Sequence, residues 1–314
     1  MTGLLQISSP EKVLPKSEYK AKNIDRITVL KGEEGAYQIA FKETHNTVIS
    51  IDVESDIRAF VNVYSVGCVP VMLPLYEDTF DDPDYISKEP GIFPDILNPI
   101  VNNEIKGNGR YQSLWIKIDR NAPVGKHSIT VKLSNGSESK SCELTYEVMP
   151  LELPESGLIF TQWFHCDCLA SYYKVPVWSE EHWSIVEKFI KKAADYGINM
   201  ILTPVFTLPL DTAVGGERPT CQLVGVKKDK NKYFFDFTLL ERWITMCIKS
   251  GIKYFEISHL FTQWGAEFTP KIVAEENGEP KRIFGWDVSA ADPEIVLGVR
   301  EAVNERLRQV ACSK

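Results

Sequence analysis

The spacing of apolar residues changes once along the chain, and this change limits the folds open to it. Up to about residue 150, apolar and polar residues alternate with period two, as at Leu114, Ile116 and Ile118. Such alternation between turn residues predicts antiparallel strands with one buried face, and several short strands of this kind predict a β-sandwich. The Asp- and Pro-rich residues 77–98 are predicted to form a long ordered loop within it.

The second half of the chain alternates short apolar strands with amphipathic helices. Two prolines in residues 149–156, MPLELPES, predict the joint between the halves, so the predicted domains are 1–150 and 151–314. Helix starts are predicted at Ser179, at the Thr238-x-x-Glu241 capping box and at Asp292-Pro293. Strands are predicted at 158–160, 198–202 and 254–257. The βα order predicts a parallel sheet, in either a (β/α)8 barrel or a doubly wound fold.

Charge and composition exclude some classes of partner. The 314 residues carry a net charge of −8, and the sequence pI is about 5.3, which argues against a nucleic-acid partner. No apolar run approaches the ~18 residues of a membrane span, and the first residues lack the pattern of a secretion signal. Seven cysteines without the spacing of a disulfide scaffold predict reduced thiols and a cytoplasmic location. The oligomeric state is left open.

The tetrapeptide FTQW occurs twice, at residues 160–163 and 261–264. Each copy lies at or just past the end of a predicted parallel strand, where enzymes with parallel sheets keep their active sites. We interpret the identity of the four letters as coincidence. Their position is informative, because it directs attention to the residues at these two strand ends.

The first strand end, Trp163 to Cys168, contains several residues capable of chemistry. His165, Asp167 and two cysteines could bind a metal, but the spacing is unlike that of zinc sites, and a nucleophilic cysteine is no better supported. Cysteines packed as small hydrophobic residues are the simpler interpretation. His165 and Asp167 lie on one side of an extended chain and are predicted to face a pocket. No metal or cofactor is predicted.

The third strand end and the long connection before it supply further candidates. Glu256 is predicted to point into a barrel, or else to pair with a neighbouring Lys or Arg, and both interpretations stay open. His259 and Trp264 follow it. Residues 203–237 form a connection of unusual length that contains Arg218 and ends in a predicted β-hairpin; loops of this length are usually functional or disordered.

Aromatic residues are frequent around these candidates: Trp163, Phe164, Tyr172, Tyr173, Trp178, Phe206, Phe261 and Trp264. Aromatic faces near carboxylates suit sugar rings, which have apolar C–H faces and hydroxyl edges. Most of the eight are expected to belong to the core, and two or three are expected to line a pocket.

Several stretches resemble glycoside hydrolase family 123 and the related domain-of-unknown-function family 4091. They are QWFHCDCLASYY, SEEHWSIVEKFI, GINMILTPVFTLPLDTAVGGERPT and KYFEISHLFTQWGAEFTPKI, within residues 158 to about 287. PGIFPDILNPI and NAPVGKHSITVKL resemble the N-terminal β-sandwich of that family. The resemblance implies a β-sandwich that leads into a (β/α)8 barrel.

The resemblance also implies a retaining, substrate-assisted β-N-acetylgalactosaminidase activity. In that family the 2-acetamido group of the substrate attacks the anomeric carbon, while an adjacent Asp-Glu pair supplies the orienting residue and the general acid and base. The 314 residues contain no adjacent Asp-Glu pair. We therefore expect a β-sandwich followed by an incomplete barrel, truncated before the catalytic pair and inactive alone.

Three hypotheses follow from the sequence. The chain is part of a glycosidase for N-acetylhexosamine-containing glycans, a non-catalytic carbohydrate-binding protein, or a fragment that does not fold stably. No catalytic residue is assigned. The predicted substrate-binding residues are His165, Asp167, Arg218, Glu256, His259 and Trp264.

Overall fold

The computed structural model describes residues 1–16, 18–72, 85–209, 216–230, 232–259, 261–262, 265–289 and 305. The chain divides into two compact units, Met1–Glu155 and Ser156–Lys314. Of the described residues, 44% are in strands and 15% in helices. The protein is therefore mostly β.

The described part of the first unit contains ten strands. They are β1 Thr2–Ser8, β2 Arg26–Lys31, β3 Gly35–Lys42, β4 Val48–Ser55, β5 Val61–Val71, β6 Gly91–Pro99, β7 Glu104–Lys106, β8 Tyr111–Ile118, β9 Gly125–Ser134 and β10 Ser139–Glu152. One sheet has the order β1-β3-β8-β5-β6 and the other the order β2-β10-β9-β4-β7. The pairing is antiparallel except between β2 and β10, which are parallel.

The core of the first unit comes from the alternation seen in the sequence. Leu114, Ile116 and Ile118 on β8 are fully buried, and so are Ile129 and Val131 on β9. Buried side chains of both sheets form one hydrophobic cluster. Each such side chain contributes roughly 1.5–3 kcal/mol through removal from water. The predicted loop at 77–98 was wrong in its last part, because Gly91–Pro99 is β6, and residues 77–84 lie outside the described residues.

The second unit contains seven strands and three α-helices in its described part. In chain order they are β11 Thr161–Gln162, α1 Cys166–Tyr173, α2 Glu180–Asp195, β12 Met200–Thr203, β13 Gly225–Asp229, β14 Lys232–Asp236, α3 Thr238–Lys249, β15 Tyr254–Ile257, β16 Ile272–Glu276 and β17 Glu279–Phe284. β11, β12 and β15 form a parallel sheet in that order. The helix predicted at Asp292-Pro293 lies outside the described residues.

Local sequence explains where α2 and α3 begin. The Ser179 side chain accepts a hydrogen bond from the backbone N–H of His182, as predicted for an N-cap. The capping box predicted at Thr238 was wrong, because Thr238 is already helical. Its N–H and hydroxyl instead donate to the Asp236 carboxylate at 3.0 and 2.6 Å. Asp236 therefore accepts the hydrogen bonds that cap the start of α3.

The helices cover one face of the parallel sheet. Trp183 and Ile190 of α2 and Trp243 of α3 are buried in one cluster with Ile201 of β12, and Phe255 of β15 packs against this cluster. The opposite face carries residues in the alternate positions of the strands, Leu202 and Glu256 among them. Glu256 consequently points away from the helices.

The two long connections of the second unit form a sheet of their own. Its order is β14-β13-β16-β17, with antiparallel hairpins at both ends and parallel pairing between β13 and β16. The Gln222 side chain extends this pairing, since it donates to the Val273 carbonyl and accepts from the Val273 N–H, both at 2.9 Å. The hairpin predicted at the end of residues 203–237 is confirmed as β13 and β14.

The predicted fold class, an N-terminal β-sandwich followed by an incomplete (β/α)8 barrel, was wrong. The described residues form four sheets and three α-helices, and the strand content is about three times the helix content. The sequence pattern indicated three βα repeats and one hairpin between β12 and α3, but the connection after β15 was assigned no strands. Those connections contain alternating apolar residues and hairpin turns, which place their backbone hydrogen bonds in a second sheet.

Candidate functional site

Strand register brings residues of β11 and β15 to one face of the parallel sheet. Thr161 is level with Met200 of β12, and Met200 is level with Tyr254 of β15. Glu256 lies two residues after Tyr254, so its side chain is on the same face as that of Thr161. The first strand is shorter and later than predicted, because β11 is Thr161–Gln162 rather than residues 158–160.

Two neutral groups hold the Glu256 carboxylate. Thr161 Oγ1 donates to Oε2 at 3.3 Å, and Trp163 Nε1 donates to Oε1 at 3.3 Å. Both hydrogen bonds are long, and a carboxylate can accept about four. Glu256 therefore keeps acceptor capacity for a ligand. Among the described residues its partners include no Lys or Arg, so the alternative of a paired cation is not found there.

Trp163 and His259 extend this group of residues. The Trp163 side chain is 49% exposed, and its ring meets the His259 ring edge-on, with 5.5 Å between centroids and 83° between planes. His259 Nδ1 is buried and has no hydrogen-bond partner in the described part of the chain. We call Thr161, Trp163, Glu256 and His259 the strand-end cluster. It combines an exposed aromatic face with a carboxylate and an imidazole.

Asp167 and Arg218 form a second group. Arg218 Nε donates to Asp167 Oδ2 at 2.8 Å and Nη2 donates to Oδ1 at 3.2 Å, while the two side chains are only 13% and 6% exposed. Burial opposes the charged guanidinium, but the hydrogen bond and the charge of Asp167 outweigh it and raise the pKa of Arg218. Asp167 lies in the first turn of α1, where the helix dipole favours a carboxylate.

A short ionic network supports the segment that carries Arg218. Lys271 Nζ donates to the Arg218 carbonyl at 3.2 Å and pairs with Glu217 at 2.9 Å. Glu217 is also 3.4 Å from Arg282 Nε. The hydrogen bond from Lys271, followed by its charge, lowers the pKa of Glu217. Residues from both long connections thus fix the backbone beside Arg218.

The six predicted substrate-binding residues fall into different places. Glu256 and His259 belong to the strand-end cluster, whereas Asp167 and Arg218 form the buried ion pair. His165 is the N-cap residue of α1. The expectation that His165 and Asp167 share one side of an extended chain was wrong, because α1 begins between them at Cys166. Trp264 lies outside the described residues, and the assignment of all six to substrate binding stays a prediction.

Sequence reasoning missed two features of this region. Trp163 was counted among the aromatic residues but not among the site residues, although its place directly after a strand was a usable signal. The contact between the Cys166 and Cys221 sulfurs, at 3.2 Å, had no signal in the sequence because 55 positions separate them. No cluster of three or more His, Cys, Asp or Glu able to hold a metal occurs in the described ranges.

Comparison with known proteins indicates which family this part of the chain resembles. Residues 163–305 match the family model described as glycoside hydrolase 123, catalytic domain. This part of the chain is glycoside hydrolase-like, and the resemblance to family 123 is confirmed. The chain matches no curated protein. No described helix is long and apolar enough to cross a membrane.

The fold is similar to that of a family 123 glycoside hydrolase from Clostridium perfringens, whose structure addressed glycolipid glycan hydrolysis. The TM-score is 0.72 and the sequence identity 15%, and the match covers 98% of this chain. The chain spans 56% of the length of that structure. The titin M3 domain and the N-terminal domain of PorA each match 44% of this chain at 10% identity and cover 97% of their own chains; their TM-scores of 0.21 and 0.18 support no argument.

Proposed function

We propose that the second unit binds the N-acetylhexosamine end of a glycan, as part of a substrate-assisted glycoside hydrolase of the β-N-acetylgalactosaminidase type. The observation that carries the proposal is the strand-end cluster. In it the exposed Trp163 indole lies next to the Glu256 carboxylate, which accepts only two long hydrogen bonds in the described structure. The match of residues 163–305 to the family 123 catalytic domain supports it.

Three members of the cluster are proposed to contact the ligand. The Trp163 ring offers an apolar surface to the C–H face of a pyranose. The Glu256 carboxylate accepts hydrogen bonds from sugar hydroxyls, because only two neutral donors occupy it in the described structure. Nδ1 of His259, which has no partner among the described residues, supplies a further polar contact. Trp264 and His165 remain proposed contacts from the sequence alone.

The buried ion pair has a different part. Asp167 uses both carboxylate oxygens on Arg218, so we assign it to holding Arg218 rather than to direct contact with sugar. Arg218 Nη2 also donates to Cys168 Sγ at 3.1 Å. Direct contact of Arg218 with the ligand stays a prediction from the sequence.

A second candidate function is carbohydrate binding without hydrolysis. One observation favours it: the 314 residues contain no adjacent Asp-Glu pair of the kind that serves the 2-acetamido group in family 123. Under this alternative the strand-end cluster binds the same sugar, and no glycosidic bond is broken by this chain.

Two measurements on the full chain separate the possibilities. Calorimetric titration with N-acetylgalactosamine, with galactose as the comparison sugar, measures binding, and 4-nitrophenyl N-acetyl-β-D-galactosaminide measures hydrolysis. Binding with hydrolysis supports the first function, and binding alone supports the second. The absence of both, in a chain that unfolds cooperatively, would overturn the proposal.

Glu256→Gln tests the residue that the proposal uses most. It keeps the shape of the side chain but removes the charge that strengthens hydrogen bonds from hydroxyls, so we expect about tenfold weaker binding of N-acetylgalactosamine. Glu279→Gln, in the exposed start of β17, removes the same charge away from the cluster and is expected to bind like the unmodified chain. Equal affinities for the two variants would contradict the role of Glu256.

A further inference from the structure

The strongest unused feature of the second unit is a pair of buried thiols. Cys166 Sγ and Cys221 Sγ are 3.2 Å apart, and both residues are almost fully buried in the hydrophobic cluster beneath the helices. Six cysteines are described, at 68, 142, 166, 168, 221 and 247, and all are free. Of these six, Cys166 and Cys221 are the pair whose sulfurs are in hydrogen-bonding contact.

The backbone on both sides of the pair is fixed by hydrogen bonds. His182 Nε2 lies 2.9 Å from the Cys166 carbonyl, which joins the start of α1 to α2. The Cys221 N–H donates to Thr207 Oγ1 at 3.1 Å. The sulfurs are therefore held facing each other by the fold, and a disulfide of about 2.05 Å needs an approach of roughly 1.1 Å.

We propose that Cys166 and Cys221 are a modification site, at which a peroxide oxidises the two thiols to a disulfide. The bond would join the first residue of α1 to the segment that follows Arg218. Asp167 is adjacent to Cys166, and Arg218 is three residues before Cys221. Oxidation would therefore join α1, which carries Asp167, covalently to the segment that carries Arg218.

The reaction balances with hydrogen peroxide as the oxidant. The hydrogen bond with Cys166, together with burial, raises the pKa of Cys221, so Cys221 keeps its proton and can donate it toward the Cys166 sulfur. Cys166 sulfur attacks one peroxide oxygen, the O–O bond breaks, and a sulfenic acid and water form. Cys221 sulfur then displaces the hydroxyl of that sulfenic acid, which leaves as a second water. Two thiols and one peroxide give one disulfide and two waters.

Peptide mass spectrometry of the full chain tests the site directly. The chain is treated with hydrogen peroxide, alkylated under denaturing conditions and digested without reductant. We expect a linked pair of peptides containing Cys166 and Cys221, which dithiothreitol separates. The absence of this pair after complete oxidation of the exposed Cys68 would overturn the proposal, and so would a link from either residue to Cys168 or Cys247.

Melting temperature provides the second measurement. The link closes a loop over 55 positions, and restriction of the unfolded chain is expected to raise the melting temperature by about 5 °C or more. Cys168→Ser keeps both buried sulfurs and should retain the rise. Cys221→Ser and Cys221→Ala should both lose it, and use of two replacements separates loss of the link from a folding defect of either one. A rise that persists in both variants would contradict the assignment.

Discussion

Burial of the Asp167–Arg218 pair predicts a large cost for Asp167→Asn. The change keeps the shape of the side chain but removes the Asp167 charge from a guanidinium that is only 13% exposed. Removing one partner of a buried pair usually costs about 3–5 kcal/mol, because the remaining charge stays desolvated. Arg218 also contacts Cys168 Sγ, and its side chain reaches some solvent. We therefore expect a loss of stability at the lower end of that range, about 3 kcal/mol.

The chain contains a matched control for this prediction. Arg242 and Glu180 form a bidentate pair with two bonds of 2.7 Å, but their side chains are 43% and 78% exposed. Glu180→Gln therefore removes the same kind of charge from a similar geometry in contact with water. We expect little change in stability, because solvent screens exposed pairs and rehydrates the remaining charge.

Urea and thermal unfolding of the full chain measure the difference. For a unit of this size, a loss of about 3 kcal/mol lowers the melting temperature by roughly 6–12 °C. The signal should come from the tryptophan fluorescence of the second unit, whose core contains Trp183 and Trp243. If Asp167→Asn and Glu180→Gln lower stability equally, burial does not govern the cost and the reasoning fails.

Two further predictions concern local contacts. Asp236→Ala removes the hydrogen-bond acceptor for Thr238 at the start of α3 and should lower the free energy of unfolding in urea by about 1 kcal/mol. The control Asp229→Ala, in β13 and away from any helix start, should lower it by less. Equal losses of stability in the two variants would contradict the capping role of Asp236. Burial opposes the protonated form of His127, but its hydrogen bond to Asp56 outweighs burial and raises the pKa of His127 above 6.5. The stabilisation from this pair is therefore complete below pH 6.5 and is lost as the pH rises through the raised pKa. The same bond lowers the pKa of Asp56 below 3.8, so the stability gap between the unmodified chain and His127→Gln should be widest between about pH 4 and 6.5; a gap that widens above pH 8 would refute this.

Sequence reasoning succeeded where one short pattern determines the outcome. Alternation at Leu114, Ile116 and Ile118 predicted their burial, and the Ser179 cap predicted the start of α2. These features depend on side-chain direction within one element and on hydrogen bonds between residues three positions apart. The third parallel strand, residues 254–257, was predicted with its observed bounds for the same reason.

Sequence reasoning failed where distant segments compete for the same backbone hydrogen bonds. The pairing of β13 with β16 joins residues almost 50 positions apart, and no local pattern indicates it. The start of α3 was misassigned because Asp236 and Thr238 are both acceptable caps, and only the structure shows which one accepts. Glu256 was identified as a candidate, but its two neutral donors depend on strand register and could not be assigned in advance.

The parallel contact between β13 and β16 has a consequence for engineering the second unit. The connection after β12 and the connection after β15 share one sheet, and the Gln222–Val273 hydrogen bonds join them again. A change of length or sequence within the paired segments of one connection therefore alters the main-chain pairing of the other. For grafting or directed evolution, the connections after β12 and β15 should be exchanged together as one unit. Libraries that vary one connection alone should yield mostly unstable clones, whereas functional diversity should come from exchanging both connections together.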